Sequence, residues 1–295
     1  MLIEEYKRSL KMPEAEEVFD LIFFRPIGFV FVKIVYRLPI TPNQVTVLSM
    51  LSGLTAAWYY SIGTAGTIVW GALWYAIANI FDCSDGQLAR LQKSGTPLGR
   101  LVDGVADYIS SIAIFLGIGI GLVASGGSLW WLVVLGGLSS ALHAMLFDHY
   151  QSEYISTVRN EENFLEREVE RFTKERHRLE DERRGGIKIF ILKAYLWYLG
   201  LQKGFNTKGE DQHIEPERYR EENRLMIRYW SFLGPTTNRT ILIAAALIGR
   251  IDIFLWIIAI PANLWLLMCF FLQRQIHRRL ETVTSVVPSI ESNSR

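Results

Sequence analysis

Residues 81–108 read FDCSDGQLARLQKSGTPLGRLVDGVADY, with an apolar run on each side, TIVWGALWYAIANIF over 67–81 and ISSIAIFLGIGIGLV over 109–123. Ionised carboxylates in such surroundings are costly unless something pairs with them. Asp82, Asp85, Asp103 and Asp107 all fall inside this one hydrophobic hairpin. Four such acids point to bound cations. Cations held by carboxylates in a membrane point in turn to chemistry on phosphates.

Helix arithmetic gives the geometry. Asp82 and Asp85 are spaced i, i+3 and Asp103 and Asp107 i, i+4, so each pair shares a helix face. Lys93-Ser94-Gly95-Thr96-Pro97 lies between the pairs, with Gly as the helix stop and Pro near the next start. With the turn centred near Ser94 and Gly95, Asp85 and Asp103 each lie roughly 13–14 Å from it, and Asp82 and Asp107 about 19 Å, at ~1.5 Å rise per residue. Antiparallel helices then bring the acids together as two facing pairs at matched depth. All-oxygen ligands of this kind suit one or two hard divalent cations. Gly86 and Ala89 add no bulk beside the first two acids. Arg90 is a fixed cation able to reach a phosphate with two parallel bonds. Gly99 allows close approach near the start of the following helix. A structural polar patch would explain one buried Asp, but hardly four with an Arg and small residues at these spacings.

The string Asp82-x2-Asp85-Gly86-x2-Ala89-Arg90-x8-Gly99-x3-Asp103-x3-Asp107 resembles the signature of the CDP-alcohol phosphatidyltransferase family at every defined position. The wider likeness covers residues 22–150 and 225–280 and leaves out the charged stretch between them and both tails. The resemblance implies an all-α integral membrane protein with six transmembrane helices and a site for two ions, Mg²⁺ or Mn²⁺. It also implies metal-dependent transfer of a substituted phosphate (phosphatidyl or phospho-headgroup) from a CDP-linked donor to an alcohol, in phospholipid biosynthesis. CMP leaves. Asp82, Asp85 and Asp103 are then metal ligands. Asp107 also lies at the metals and is the general base for the acceptor hydroxyl. Gly86, Ala89, Arg90 and Gly99 serve the donor phosphates, and the stretch containing Asn43 and Thr46 contributes to the nucleotide pocket. Plain capping explains Thr41 nearly as well as function does.

Composition agrees with a membrane chain. The sequence is 50% hydrophobic with a formal net charge of +1, so no nucleic-acid partner is indicated. Cys83 and Cys269 both fall in apolar runs, with no sequence reason to pair. The opening MLIEEYKRSLKMPEAEEVF is too acidic for a secretory signal and lacks its apolar core. Hydropathy places spans at about 43–62, 66–92, 98–124, 128–148, 234–249 and 251–273. The fifth is short unless RLMIRYWSF extends it. Gly117, Gly119 and Gly121, with Gly136 and Gly137, predict close helix contacts. The turns near Gly63–Gly66 and Gly126–Gly127 carry no Lys or Arg. Those with Arg90, Lys93 and Arg100, the segment after Tyr150 and the tail Arg274–Arg279 do, which puts them, both termini and the site's mouth in the cytoplasm. Arg250 is an isolated exception in an outer turn.

The divisions that follow are an N-terminal cytoplasmic or interfacial segment (1–40), four spans with the motif (41–149), a charged insertion (150–224), two further spans (225–280) and a tail (281–295). Within the first, DLIFFRPIGFVFVKIVYRLPITPNQ reads either as a span or as a helix lying in the interface. Arg25, Lys33 and Arg37 favour the interface, with snorkelling cations. In the insertion, NEENFLEREVERFTKERHRLEDERR predicts a solvated helix ended by Gly185-Gly186. Its Phe164, Leu165, Val169, Phe172 and Leu179 are too sparse for a coiled coil. The following IKIFILKAYLWYLGLQKG reads as an amphipathic interface helix, or as a surface for a partner or a second protomer in a homodimer. His149, His177 and His213 read as ordinary polar residues. His143 either faces an acceptor cavity or is a core histidine bonded to backbone. A phosphate-bearing acceptor would need inward cations beyond Arg90, with Arg224, Arg228 and Arg239 as candidates. The stretch from Gly234 to Arg239 lines that pocket or simply starts a helix. Two other readings use the same hairpin, a divalent-cation transporter and an inactive scaffold of the same fold. Transporters show repeated halves, absent here, and Arg90 would oppose cation transit.

Overall fold

The computed structural model describes residues 2–127, 129–160, 164–182, 186–204 and 215–284, and among these all regular structure is helical. The chain divides into two compact units. One comprises Met1–Phe147 and Arg228–Leu267, the other Asp148–Ile227 and Met268–Arg295.

In the first unit, α3 (Pro42–Ile62) packs along both α4 (Ala65–Gln92) and α5 (Pro97–Ala124). Thr41 caps α3 as expected: its Oγ1 accepts from the Gln44 amide at 3.4 Å, and Gln44 Oε1 accepts from the Thr41 amide at 2.9 Å. Small residues set the close approach of α3 and α5. A Cβ at Gly117 or Gly121 would run into the carbonyl oxygens of Ala57 and Tyr60. At the α3–α4 turn, Gly63 takes φ 74°, open to glycine at little cost, and its Cα lies against the Gly121 backbone. The turn between α4 and α5 departs from expectation. Lys93 takes the left-handed conformation at φ 53°, where Gly95 was expected to end the helix. Tyr60, Ala72, Ile114, Ile118, Leu132, Leu242, Phe254 and Leu255 form the apolar core.

Among the described residues, four stretches of helix are long and apolar enough to cross a membrane: Pro42–Ile62, Gly99–Ala124, Trp130–Val158 and Ile251–Leu280. The other two expected spans differ from these. The α4 helix has 28 residues, but Asp82, Asp85 and Arg90 dilute its hydropathy. The α10 helix (Pro235–Leu247) has 13 residues, about 20 Å against a ~30 Å hydrocarbon core. RLMIRYWSF does not lengthen it, because α9 (Pro216–Ser231) ends before a turn over 232–234. The sixth expected span falls within Ile251–Leu280, which is interrupted at Ile260 between α11 (Ile251–Ala259) and α12 (Pro261–Thr284). Beside the interruption, the carbonyls of Ile258 and Ala259 accept from Asn263 Nδ2 at 3.2 and 2.9 Å. Asn263 Oδ1 lies 3.1 Å from Nε2 of the fully buried His143, on α6 (Trp130–Val158). The partner of His143 is thus a side chain, not the backbone.

The N-terminal segment is more buried than its charge implies. After α1 (Leu2–Ser9), a π-helical turn (Asp20–Phe24) leads into α2 (Arg25–Val35), which packs on α4 through Phe29, Val32 and Val35. Ile27, Val30 and Ile34 remain exposed. Two of the three cations expected to snorkel are instead ion-paired: Arg25 with Glu16 at 2.6 Å and Lys33 with Glu5 at 2.8 Å. Arg250 is paired as well, with Asp252 at 2.8 Å.

In the second unit, α7 (Phe164–Asp181) packs against α8 (Gly186–Gly204). Phe172 meets Tyr195 edge-on at 4.9 Å, and Leu179, Leu192 and Leu199 are buried. The sparse apolar residues of α7 suffice because a second helix covers them. Its surface carries the expected charge pairs, such as Lys174–Glu170 at 2.6 Å. Gly186 opens α8 rather than closing α7; Gly185, His213 and residues 285–295 lie outside the described residues. His149 is buried beside Glu153 at 3.9 Å, and Glu153 also accepts from Tyr219 Oη at 2.9 Å.

Candidate active site

The α4 and α5 helices bring the motif acids together. One carboxylate oxygen from each of Asp82, Asp85 and Asp103 lies within 4.8 Å of the other two. This is a hard, all-oxygen donor set of the kind Mg²⁺ or Mn²⁺ takes, so the residues present fit such an ion. Asp85 is buried and accepts from Thr46 Oγ1 at 2.6 Å. That bond ties the opening turn of α3 to the acid cluster. Asn43 reaches the mouth from the same turn, with its Oδ1 3.2 Å from where a Cβ on Gly99 would stand.

Asp107 is not in the three-acid group. Its Oδ1 accepts from Arg239 Nη2 at 2.7 Å, and Arg239 Nη1 donates to Asp82 Oδ2 at 2.7 Å and to Asn79 Oδ1 at 2.9 Å. One guanidinium therefore joins the two acids that helix arithmetic placed at equal depth. The Arg239 side chain is 8% exposed, against 21% for Asp82 and 35% for Asp107. An Arg so buried is tolerable only because carboxylates and an amide oxygen satisfy it.

Arg90 has different partners. Its guanidinium folds over Gly86, and its Nε donates to the carbonyl oxygen of Ser9. Nη2 is buried with no hydrogen-bond partner. Ala89 contributes its carbonyl to the turn that closes α4, accepting from the Ser94 amide at 3.0 Å. Arg228 donates to the carbonyl oxygens of Glu16 and Pro13, both at 2.9 Å, which removes it from the set of inward cations. Arg224 is exposed.

Against this geometry, residues 39–159 match the family model described as CDP-alcohol phosphatidyltransferase. That stretch is therefore similar to a CDP-alcohol phosphatidyltransferase domain. The chain is also similar to a phosphatidylinositol phosphate synthase from Corynebacterium glutamicum, 34% identical over 101 residues. The aligned part is 34% of this chain and 41% of that relative, so the chain spans about two fifths of the relative's length.

The matched stretch contains every motif acid, but Arg239, which grips two of them, lies outside residues 39–159. So do three buried acids to which the sequence reading gave no role. Glu16 pairs with Arg25, Glu17 bonds the start of α10, and Asp20 accepts from Cys83 Sγ at 3.2 Å. Burial pushes the Glu17 carboxyl up to about 8 although three donors favour its charge. Burial also raises Asp20, with Arg25 opposing. The signal that could have revealed them is their position. Glu16, Glu17 and Asp20 flank Val18-Phe19 immediately before an apolar run.

Proposed function

We propose that this protein transfers a phosphatidyl group from a CDP-linked lipid to an alcohol that itself carries a phosphate, releasing CMP. The observation that carries this reading is Arg239, a fixed cation held by Asp82 and Asp107 at the inner end of the acid cluster. A buried guanidinium beside the proposed base adds positive charge where an acceptor would sit, which favours an anionic acceptor. A phosphate there would take up donor positions that Asp82, Asp107 and Asn79 hold in the structure. The relative's printed name, a phosphatidylinositol phosphate synthase, fits the same class of product.

In this reading Asp82, Asp85 and Asp103 hold the divalent ions, Mg²⁺ or Mn²⁺, which supply charge for the donor pyrophosphate and the leaving CMP. Thr46 orients Asp85. Asn43, Gly86, Ala89, Arg90 and Gly99 surround the donor's nucleotide and phosphates. The acceptor hydroxyl oxygen attacks the phosphorus bonded to the lipid. The phosphoanhydride bond breaks and CMP takes that electron pair. The hydroxyl proton passes to Asp107, whose Oδ2 makes no hydrogen bond among the described residues while Arg239 engages its Oδ1.

The proposal extends to placement. The α4 and α10 helices complete six spans with the four long apolar ones. The N-terminal α2 lies in the interface, and the site and both termini face the cytoplasm, where the loop cations concentrate. A cation transporter is disfavoured because Arg239 places a fixed positive charge beside the acids a permeating ion would have to pass. The test is CMP release by purified protein with CDP-diacylglycerol and Mg²⁺, comparing a polyol phosphate with the bare polyol. Turnover only with the phosphorylated acceptor is expected. Equal turnover with both would remove Arg239 from acceptor recognition, and none with any alcohol would remove the activity.

A further inference from the structure

We propose that Glu17 is a positioning residue, whose carboxyl group seats the first turn of α10 and thereby holds Arg239 in register with Asp82 and Asp107. The inference rests on the reading of Arg239 as the acceptor anchor.

A helix start leaves amides without partners, and the residue before Pro235 cannot supply one. It is Gly234, which has no side chain to cap with. Glu17 supplies the cap from another part of the chain. Its Oε1 accepts from the Thr236 amide at 3.1 Å, and its Oε2 from the Thr237 amide at 2.7 Å and Thr237 Oγ1 at 2.9 Å. Gly234 is where this carboxylate lies closest, since a Cβ there would overlap it. Arg239 follows Thr237 by two residues, so the cap fixes the turn from which the guanidinium departs.

Glu17 is itself anchored. Arg25 grips Glu16 at 2.6 Å, and Arg228 donates to the Glu16 and Pro13 carbonyls at 2.9 Å. One turn on, Asp20 accepts from Cys83, the residue after Asp82 on α4. The short segment from Glu16 to Asp20 thus touches both α10, which carries Arg239, and α4, which carries Asp82. A guanidinium whose bonds to Asp82 and Asp107 are 2.7 Å long has little tolerance for drift, and about 1 Å of misplacement can cost on the order of 100-fold in rate.

The test uses the full chain in detergent or nanodiscs. Glu17→Ala removes the cap, and Thr237→Val, nearly the same shape, removes the hydroxyl's contacts with Glu17 and with the Ser231 carbonyl but keeps both backbone bonds, should the first variant fold poorly. Glu17→Ala should raise the acceptor KM by about tenfold and leave the donor KM within about twofold. Thr237→Val should give a smaller shift of the same kind. In an Arg239→Gln background Glu17→Ala should add little, because the effect runs through that guanidinium. An undiminished Glu17 effect in that background, or equal shifts in both KM values, would overturn the proposal. A second measurement does not depend on activity. Hydrogen exchange at the amides of 236–240 should speed up in Glu17→Ala while α3 exchange stays unchanged. Unaltered exchange there would also overturn it. A wild type that releases no CMP, with the exchange effect present, would instead sink the functional reading.

Discussion

At the scale of single residues, the acids of the cluster should behave differently from one another. Asp82→Asn removes a proposed metal ligand and should weaken donor binding in Mg²⁺. Asp107→Asn keeps shape but cannot take a proton, so donor should still bind while single-turnover CMP release collapses. Donor titration and rapid-quench measurement on both variants decide this, and equal loss of donor binding would make Asp107 mainly a ligand. Arg239→Lys keeps the charge but cannot bridge Asp82 and Asp107 as the planar fork does. Losing one charge-assisted bond, about 1.5–3 kcal/mol, should raise the acceptor KM roughly 10–100-fold. An unchanged acceptor KM would place the phosphate elsewhere. Asp82, Asp85, Asp103 and Asp107 were legible in the sequence because four charges in an apolar hairpin have few alternatives. The facing of Arg239 was not, since it lies 132 residues beyond Asp107 and helix periodicity cannot say which way a remote helix turns.

At the scale of elements, the hairpin of α4 and α5 was legible for the same reason as its acids. Fixed spacing on two helices joined by a short turn leaves one geometry. The breaks at 232–234 and at Ile260–Pro261 were hidden because hydropathy averages over them. The seat of α10 was hidden because its cap comes from 219 residues away. Gly234→Ala should disturb that seat directly. The added methyl meets the Glu17 carboxylate, and overpacking of this kind costs about 1–3 kcal/mol. A lowered thermal midpoint in detergent is expected, and an unchanged one would mean that Glu17 simply moves aside. The seat should also respond to pH. Folding raises Glu17 from 4.5 to about 8, so the folded state binds the proton more tightly. Its contribution to stability is complete below pH 4.5 and is lost as pH rises through about 8, on the order of 4 kcal/mol in all. Glu17→Gln, neutral throughout, should flatten the fall in thermal midpoint between pH 6 and pH 9. Parallel pH profiles for the two proteins would show that Glu17 does not titrate there.

At the scale of the whole molecule, the acid cluster and Arg239 lie in one unit and the charged α7 in the other. Replacing residues 164–182 with a flexible linker should therefore leave Mg²⁺-dependent CMP release largely intact. Removing α7 uncovers Leu192 and Leu199 on α8, and size-exclusion chromatography should detect any self-association that results. Loss of activity in a protein that still inserts would show that α7 shapes the site.

The cap on α10 has a consequence for how the chain is made. Glu17 leaves the ribosome well before Thr236 and Thr237, which follow 219 and 220 positions later. At about 5–20 residues per second, roughly ten to forty seconds pass between the two. Through that interval Glu17 has no partner on α10, and the guanidinium that bridges Asp82 and Asp107 has yet to be synthesised. The earlier helices must therefore insert without this clasp, and the acid cluster can close around Arg239 only once α10 has been made.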